Sequence, residues 1–140
     1  MTGGLIWKRQ SPPQVAAISA EERGDIMDDC IFCKIVGGDI PATKVFENEN
    51  VLAFEDIHPL APVHVVLVPK RHVAAMIDLG APDAALVAEL FFAANTVARL
   101  KGIDKSGFRL VINCGSDGGQ VVHHLHLHIL GGKKLVDGLG

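Results

Sequence analysis

The chain predicts an α+β domain in which about five short strands form an antiparallel sheet and one long helix packs on it. Three stretches carry this prediction. Val63 to Val68 is a β-branched run between Pro62 and Pro69, a composition that suits a strand and little else. From Ala81 to Lys101 the apolar residues Leu86, Val87, Leu90, Phe91, Ala94, Val97 and Ala98 recur at helical spacing, and Gly102 ends the run. Near the end, Leu125, Leu127 and Ile129 alternate with His124, His126 and His128, the period of a strand with two unlike faces. The strands cluster together instead of alternating with helices, which favours a meander over repeated βαβ units.

The other elements follow in chain order. Residues 1–27 read as an extension, partly disordered or docked on the surface, with a short N-terminal helix opened by Ser19 and Glu22 in a capping-box spacing. Residues 28–140 form the domain. Cys30 to Val36 is a short apolar helix-like stretch. Thr43 to Glu47 and Val51 to Glu55 are strand-like, and Asn48-Glu49-Asn50 between them predicts a hairpin turn. Pro82 suits the first turn of the long helix, and Phe92 and Ala93 widen its apolar surface beyond what one sheet face needs, which offers a dimer surface. Phe108 to Asn113 returns to strand.

Composition excludes several function classes. The 140 residues suit one domain with a core of its own, and a formal net charge of −3 with scattered Lys and Arg provides no basic stripe for nucleic acid. No apolar run reaches the length of a membrane span, and the start lacks a secretory signal's pattern, so a cytoplasmic protein is expected. Three cysteines, an odd number, argue against a disulfide framework.

The histidine row is the chemical centre. Three imidazoles on one strand face could be a tag, a metal tract, or groups acting at phosphorus. Interleaved Leu, Leu and Ile speak against a tag. The loop before the row, Asn113-Cys114-Gly115-Ser116-Asp117-Gly118-Gly119-Gln120, is dense in glycine, so backbone N–H groups could approach an anion closely. That combination favours phosphorus chemistry. Cys30 and Cys33 have the spacing that lets two thiolates grip one metal, although a redox pair or two buried, idle thiols share that spacing.

Taken together, Asp29-Cys30-Ile31-Phe32-Cys33-Lys34-Ile35, Ile40-Pro41-Ala42, Phe54-Glu55-Asp56-Ile57, Ala61-Pro62-Val63-His64, Val68-Pro69-Lys70-Arg71-His72, the Asn113 loop and His-x-His-x-His resemble the histidine triad (HIT) proteins, closest to their histidine triad nucleotide-binding branch. The likeness covers roughly residues 28 to 132. It implies a HIT-like fold, a homodimer, an AMP-like purine nucleotide as ligand, and hydrolysis of nucleoside 5′-phosphoramidates through a nucleotidyl-histidine. By the same resemblance, His126 is the nucleophile and His128 assists at the phosphoryl oxygens and in proton transfer. His124 is the first triad member, and His64 orients the triad. Asp56 accepts from the ribose hydroxyls, Phe54 and Ile57 flank the base, and Asn113 holds the phosphate or sugar side. Gly119 and Gln120 offer backbone donors. Cys30, Cys33, His72 and His124 imply one structural zinc per chain. Alternatives are a zinc-stabilised nucleotide-binding module with little turnover and a dinucleoside polyphosphate hydrolase; His128 stands where that last branch typically has Gln. Three departures bear on specificity: Val121 replaces a commonly polar residue beside the leaving group, Leu60 replaces another polar residue, and the chain ends without Trp-Pro-Pro.

Overall fold

The computed structural model describes residues 29–138, so the expected N-terminal extension and its helix lie outside the described residues. In chain order come helix α1 (Ile31–Val36), strands β1 (Lys44–Glu47), β2 (Val51–Glu55) and β3 (Val63–Pro69), two 3₁₀ turns, helix α2 (Ala84–Leu100), and strands β4 (Phe108–Ile112) and β5 (Leu127–Gly131). The five strands form one antiparallel sheet in the order β1-β2-β3-β5-β4. The hairpin turn falls where expected, held by Asn48 Oδ1 accepting from the Asn50 and Val51 amides at 2.8 and 3.0 Å. Pro82 lies in the 3₁₀ turn Ala81–Asp83, one step before α2.

Strand alternation divides the sheet into two faces of different use. Val51, Ala53, Val65, Leu67, Leu127 and Ile129 point to one side, where Leu90, Ala93, Ala94, Val97 and Ala98 of α2 complete the main core. Leu52, Phe54, Val66 and Val68 point to the other and pack with Ile35 of α1. Directly paired residues share a face, and Val66 pairs with His128, so the histidines lie on the α1 side. The core stripe of α2 departs from the expectation at two positions, Ala93 being buried and Phe91 49% exposed, whereas Phe92, expected on the widened surface, is 69% exposed. An apolar stripe this wide exceeds what the sheet can cover, so part of it must face outward.

The last strand differs from the expected one. It begins at Leu127, because the Leu125 amide donates to the Val73 carbonyl at 2.7 Å instead of to a ladder partner. His124 and His126 therefore precede the ladder and His128 alone lies in it. Alternation nonetheless persists, with Leu125, Leu127 and Ile129 all in the main core. Beyond β5, Gly132 sits at φ +90°, and a Cβ there would come within 2.9 Å of Pro62.

Candidate active site and adjoining metal-ligand cluster

Ladder register brings the imidazoles together. His64 pairs with Leu130 and Val66 with His128, so His64 and His128 are diagonal neighbours on one face, with His64 Nε2 3.0 Å from His128 Nδ1. The His126 and His128 ring centroids lie 5.0 Å apart. The Phe32 ring of α1 makes edge-to-face contacts with His126, His124 and Phe54 at centroid distances of 5.1, 5.9 and 5.6 Å.

Hydrogen bonds assign the tautomers. His126 Nδ1 donates to the His124 carbonyl at 2.7 Å, which leaves the Nε2 lone pair free. His64 Nδ1 accepts from the Leu60 amide at 3.0 Å, so its proton is on Nε2, directed at His128 Nδ1 and 3.4 Å from Asp56 Oδ2. With its Nδ1 accepting, His128 carries its proton on Nε2. Asp56 Oδ1 accepts from the His58 amide at 2.7 Å. The result is a single His64 N–H facing both the Asp56 carboxylate and His128 Nδ1, beside an imidazole with an unused lone pair. Such a group is a competent nucleophile near neutral pH.

Burial keeps these rings neutral. Desolvation holds His128 down to about 4, with the neighbouring His126 and His64 adding to it, and lowers His126 and His64 as well. A histidine depressed in the folded state is protonated first in the unfolded chain, so stability is full above pH 6.5 and is lost as pH falls through 4. We expect the unfolding midpoint to drop across that window in thermal melts. The decline should be shallower in His128→Asn by on the order of 1–3 kcal/mol; parallel curves for both proteins would contradict the assignment.

Beside the row, Cys30, Cys33, His72 and His124 place one ligand atom each within 4.8 Å of all the others. His72 Nδ1 is 3.2 Å from Cys33 Sγ, and His124 Nδ1 is 3.3 and 3.5 Å from Cys30 and Cys33 Sγ. A tetrahedral zinc with two sulfur and two nitrogen ligands needs S···N edges of roughly 3.5 Å, so the spacing suits it. The tautomer suits it too: His124 Nε2 donates to the Pro69 carbonyl at 2.8 Å, leaving Nδ1 as the ligand atom, the usual arrangement around metal-bound histidine. Desolvation, reinforced by Cys30, pushes the Cys33 thiol up to about 12, so a bound cation is what would make a thiolate there. Chemistry and spacing both fit a closed Cys₂His₂ site.

The glycine loop differs from its expected role. The Gly119 amide donates to Ser116 O and the Gln120 amide to Gly115 O, each at 3.0 Å, so both expected donors are engaged inside the loop. Gln120 is instead a buried brace, with its side chain donating to the Ala74 and Val122 carbonyls and accepting from the Gly115 amide. Asn113 donates from Nδ2 to Gly118 O at 2.7 Å. A Cβ on Gly118 would lie 2.4 Å from Cys114 O, so this turn closes only around glycine. Val121 is half-exposed, and Ile57 is almost fully so beside Asp56. Asp56 and Ile57 also line a cavity of about 410 Å³ with Pro41, Ala42, Thr43 and Glu55. Of the residues packed on the row, Phe32 was not singled out by pattern; its place between two cysteines on a helix was the available signal.

The HIT domain family profile matches residues 37–135. The chain belongs to the HIT family. Relatives include an uncharacterized HIT-like protein of Synechocystis sp., 48% identical over 106 residues that cover 76% of this chain and 92% of the relative. A solved HIT family hydrolase from Legionella pneumophila is 46% identical, with a TM-score of 0.78, over 80% of this chain and all of that one. A histidine triad protein from Clostridium difficile is 52% identical, with a TM-score of 0.76, over 78% and 95%. The α+β arrangement of five antiparallel strands and one long helix is the HIT fold that these neighbours share.

Proposed function

We propose that this HIT protein is a nucleoside phosphoramidase of the histidine triad nucleotide-binding branch. The observation that carries the reading is His126 held by the His124 carbonyl at 2.7 Å, with its other nitrogen free, next to the His64–His128 pair. In the proposed reaction, His126 Nε2 attacks the α-phosphorus of an AMP-like phosphoramidate. The P–N bond to the amine breaks, the amine leaves with a proton taken from solvent, and the Nε2–H of neutral His128 donates to a phosphoryl oxygen. Water then attacks the nucleotidyl-imidazole, gives its proton up to solvent and releases AMP and neutral His126. Asp56 takes the ribose hydroxyls, which suits a group that only accepts hydrogen bonds. Phe54 and Ile57 flank the base, and Asn113 braces the loop that faces the phosphate.

One zinc bound by Cys30, Cys33, His72 and His124 would supply local rigidity and no reaction step. The exposed Phe91, Phe92 and Leu100 of α2, together with β4 at the sheet edge, support a homodimer. Among the described residues no helix is long and apolar enough to cross a membrane.

Parallel assays of a fluorogenic adenosine 5′-phosphoramidate and of diadenosine triphosphate test the reading. Faster turnover of the phosphoramidate is expected. Preference for diadenosine triphosphate would move the chain to the polyphosphate branch, and AMP binding without turnover of either would make it a binding module.

A further inference from the structure

His124 touches two sites at once, and the consequence is specific. Its ring offers Nδ1 to the Cys30–Cys33–His72 cluster and anchors Nε2 on Pro69 O at 2.8 Å, while its own carbonyl holds His126 Nδ1 at 2.7 Å. A second route joins the same two sites. Phe32 lies between the two cysteines in sequence, on α1, and packs edge-to-face with His126 at a centroid distance of 5.1 Å. Cys30 caps that six-residue helix, its Sγ accepting from the Cys33 amide at 3.3 Å. Whatever fixes the four ligand atoms therefore fixes both the carbonyl behind His126 and the ring against its side.

We propose that the Cys₂His₂ cluster is a positioning device for the nucleophile, with His124 as the shared positioning residue and Phe32 as its second contact. This rests on the phosphoramidase reading only for its kinetic arm. With the cluster filled, His124 has no freedom to turn, and its carbonyl stays on His126 Nδ1, holding the lone pair on Nε2. With the cluster incomplete, Cys30 and Cys33 lose their common partner, α1 loosens, and His126 samples both tautomers and more than one ring direction. Misplacement of a reacting atom by about 1 Å costs on the order of 100-fold in rate, so a modest loosening is enough to be seen.

The test uses the full chain as purified, zinc content measured, against His72→Ala, which removes the cluster ligand that does not touch His126. Two readouts are taken: the imidazole ¹⁵N spectrum of His126 at one fixed pH, and kcat separately from AMP affinity. Expected are one tautomer in the wild type, a mixed or broadened signal in the variant, kcat lower by roughly 10–100-fold, and AMP Kd within about threefold. Cys33→Ala should repeat the pattern, and serves if His72→Ala does not fold. A lowered unfolding midpoint with an unchanged His126 spectrum and unchanged kcat would overturn the proposal and leave the cluster a plain staple. So would a wild type free of zinc whose His126 spectrum does not respond to added zinc. Absence of turnover in the wild type counts against the phosphoramidase reading alone, because the ¹⁵N spectrum still reports the coupling.

Discussion

His126→Gly is expected to lower phosphoramidate turnover by ~10⁴-fold or more while AMP still binds, since removing a nucleophile leaves only the binding and electrostatic parts of catalysis. The structure supplies reasons to expect the split. His126 is buried and has one nitrogen committed to the His124 carbonyl, and the substitution removes the free nitrogen that the proposed reaction uses as nucleophile. The cavity that Asp56 and Ile57 line includes none of the three histidines, so the change leaves it in place, and it is where the proposed function puts the ribose and base. The check is single-turnover kinetics combined with AMP titration of the same variant. Wild-type mass shift on the protein during turnover, and its disappearance in the variant, would identify the covalent species directly. A variant retaining turnover within tenfold of the wild type would rule out His126 as the nucleophile.

Cys30→Ala is expected to abolish metal binding and lower the unfolding midpoint by roughly 10–15 °C, corresponding to a few kcal/mol for a domain of this size. Zinc-dependent peptides with no core of their own owe far more to the metal; here two apolar clusters already support the sheet, so the loss should be partial. The change also leaves His124 Nδ1 without its 3.3 Å partner and removes the cap of α1. Zinc analysis should fall from about one equivalent per chain to near none. A variant that keeps both its zinc and its midpoint would show that the cysteine pair is a buried, idle pair.

Much of this was legible in residue order because it depends on period and composition. Alternation alone separated Leu125, Leu127 and Ile129 from His124, His126 and His128, and the structure buries the first three in the main core. The pairing of Cys30 and Cys33 with His72 and His124 could not come from local pattern, since α1 and the segments just after β3 and just before β5 bring together residues up to 94 apart. It entered through family likeness, and the ligand atoms do converge. Two details were hidden for physical reasons. A strand boundary depends on where an amide finds its acceptor, and the Leu125 amide finds Val73. Likewise, glycine content suggests available amides in the 113–120 loop, yet the turn bonds of Gly119 and Gln120 occupy them. Phe91 illustrates a third limit: helical spacing predicts an apolar stripe but not how much of it the sheet can cover.

The two-sided use of β5 has a bearing on which sequence changes this chain can accept. Sliding the segment by one position would trade imidazole for leucine on both surfaces together, drying the reactive side and wetting the core. Gly132, wedged against Pro62, blocks such a slide at the downstream end. Insertions or deletions of a single residue between the glycine loop and Gly132 should therefore be absent from working descendants.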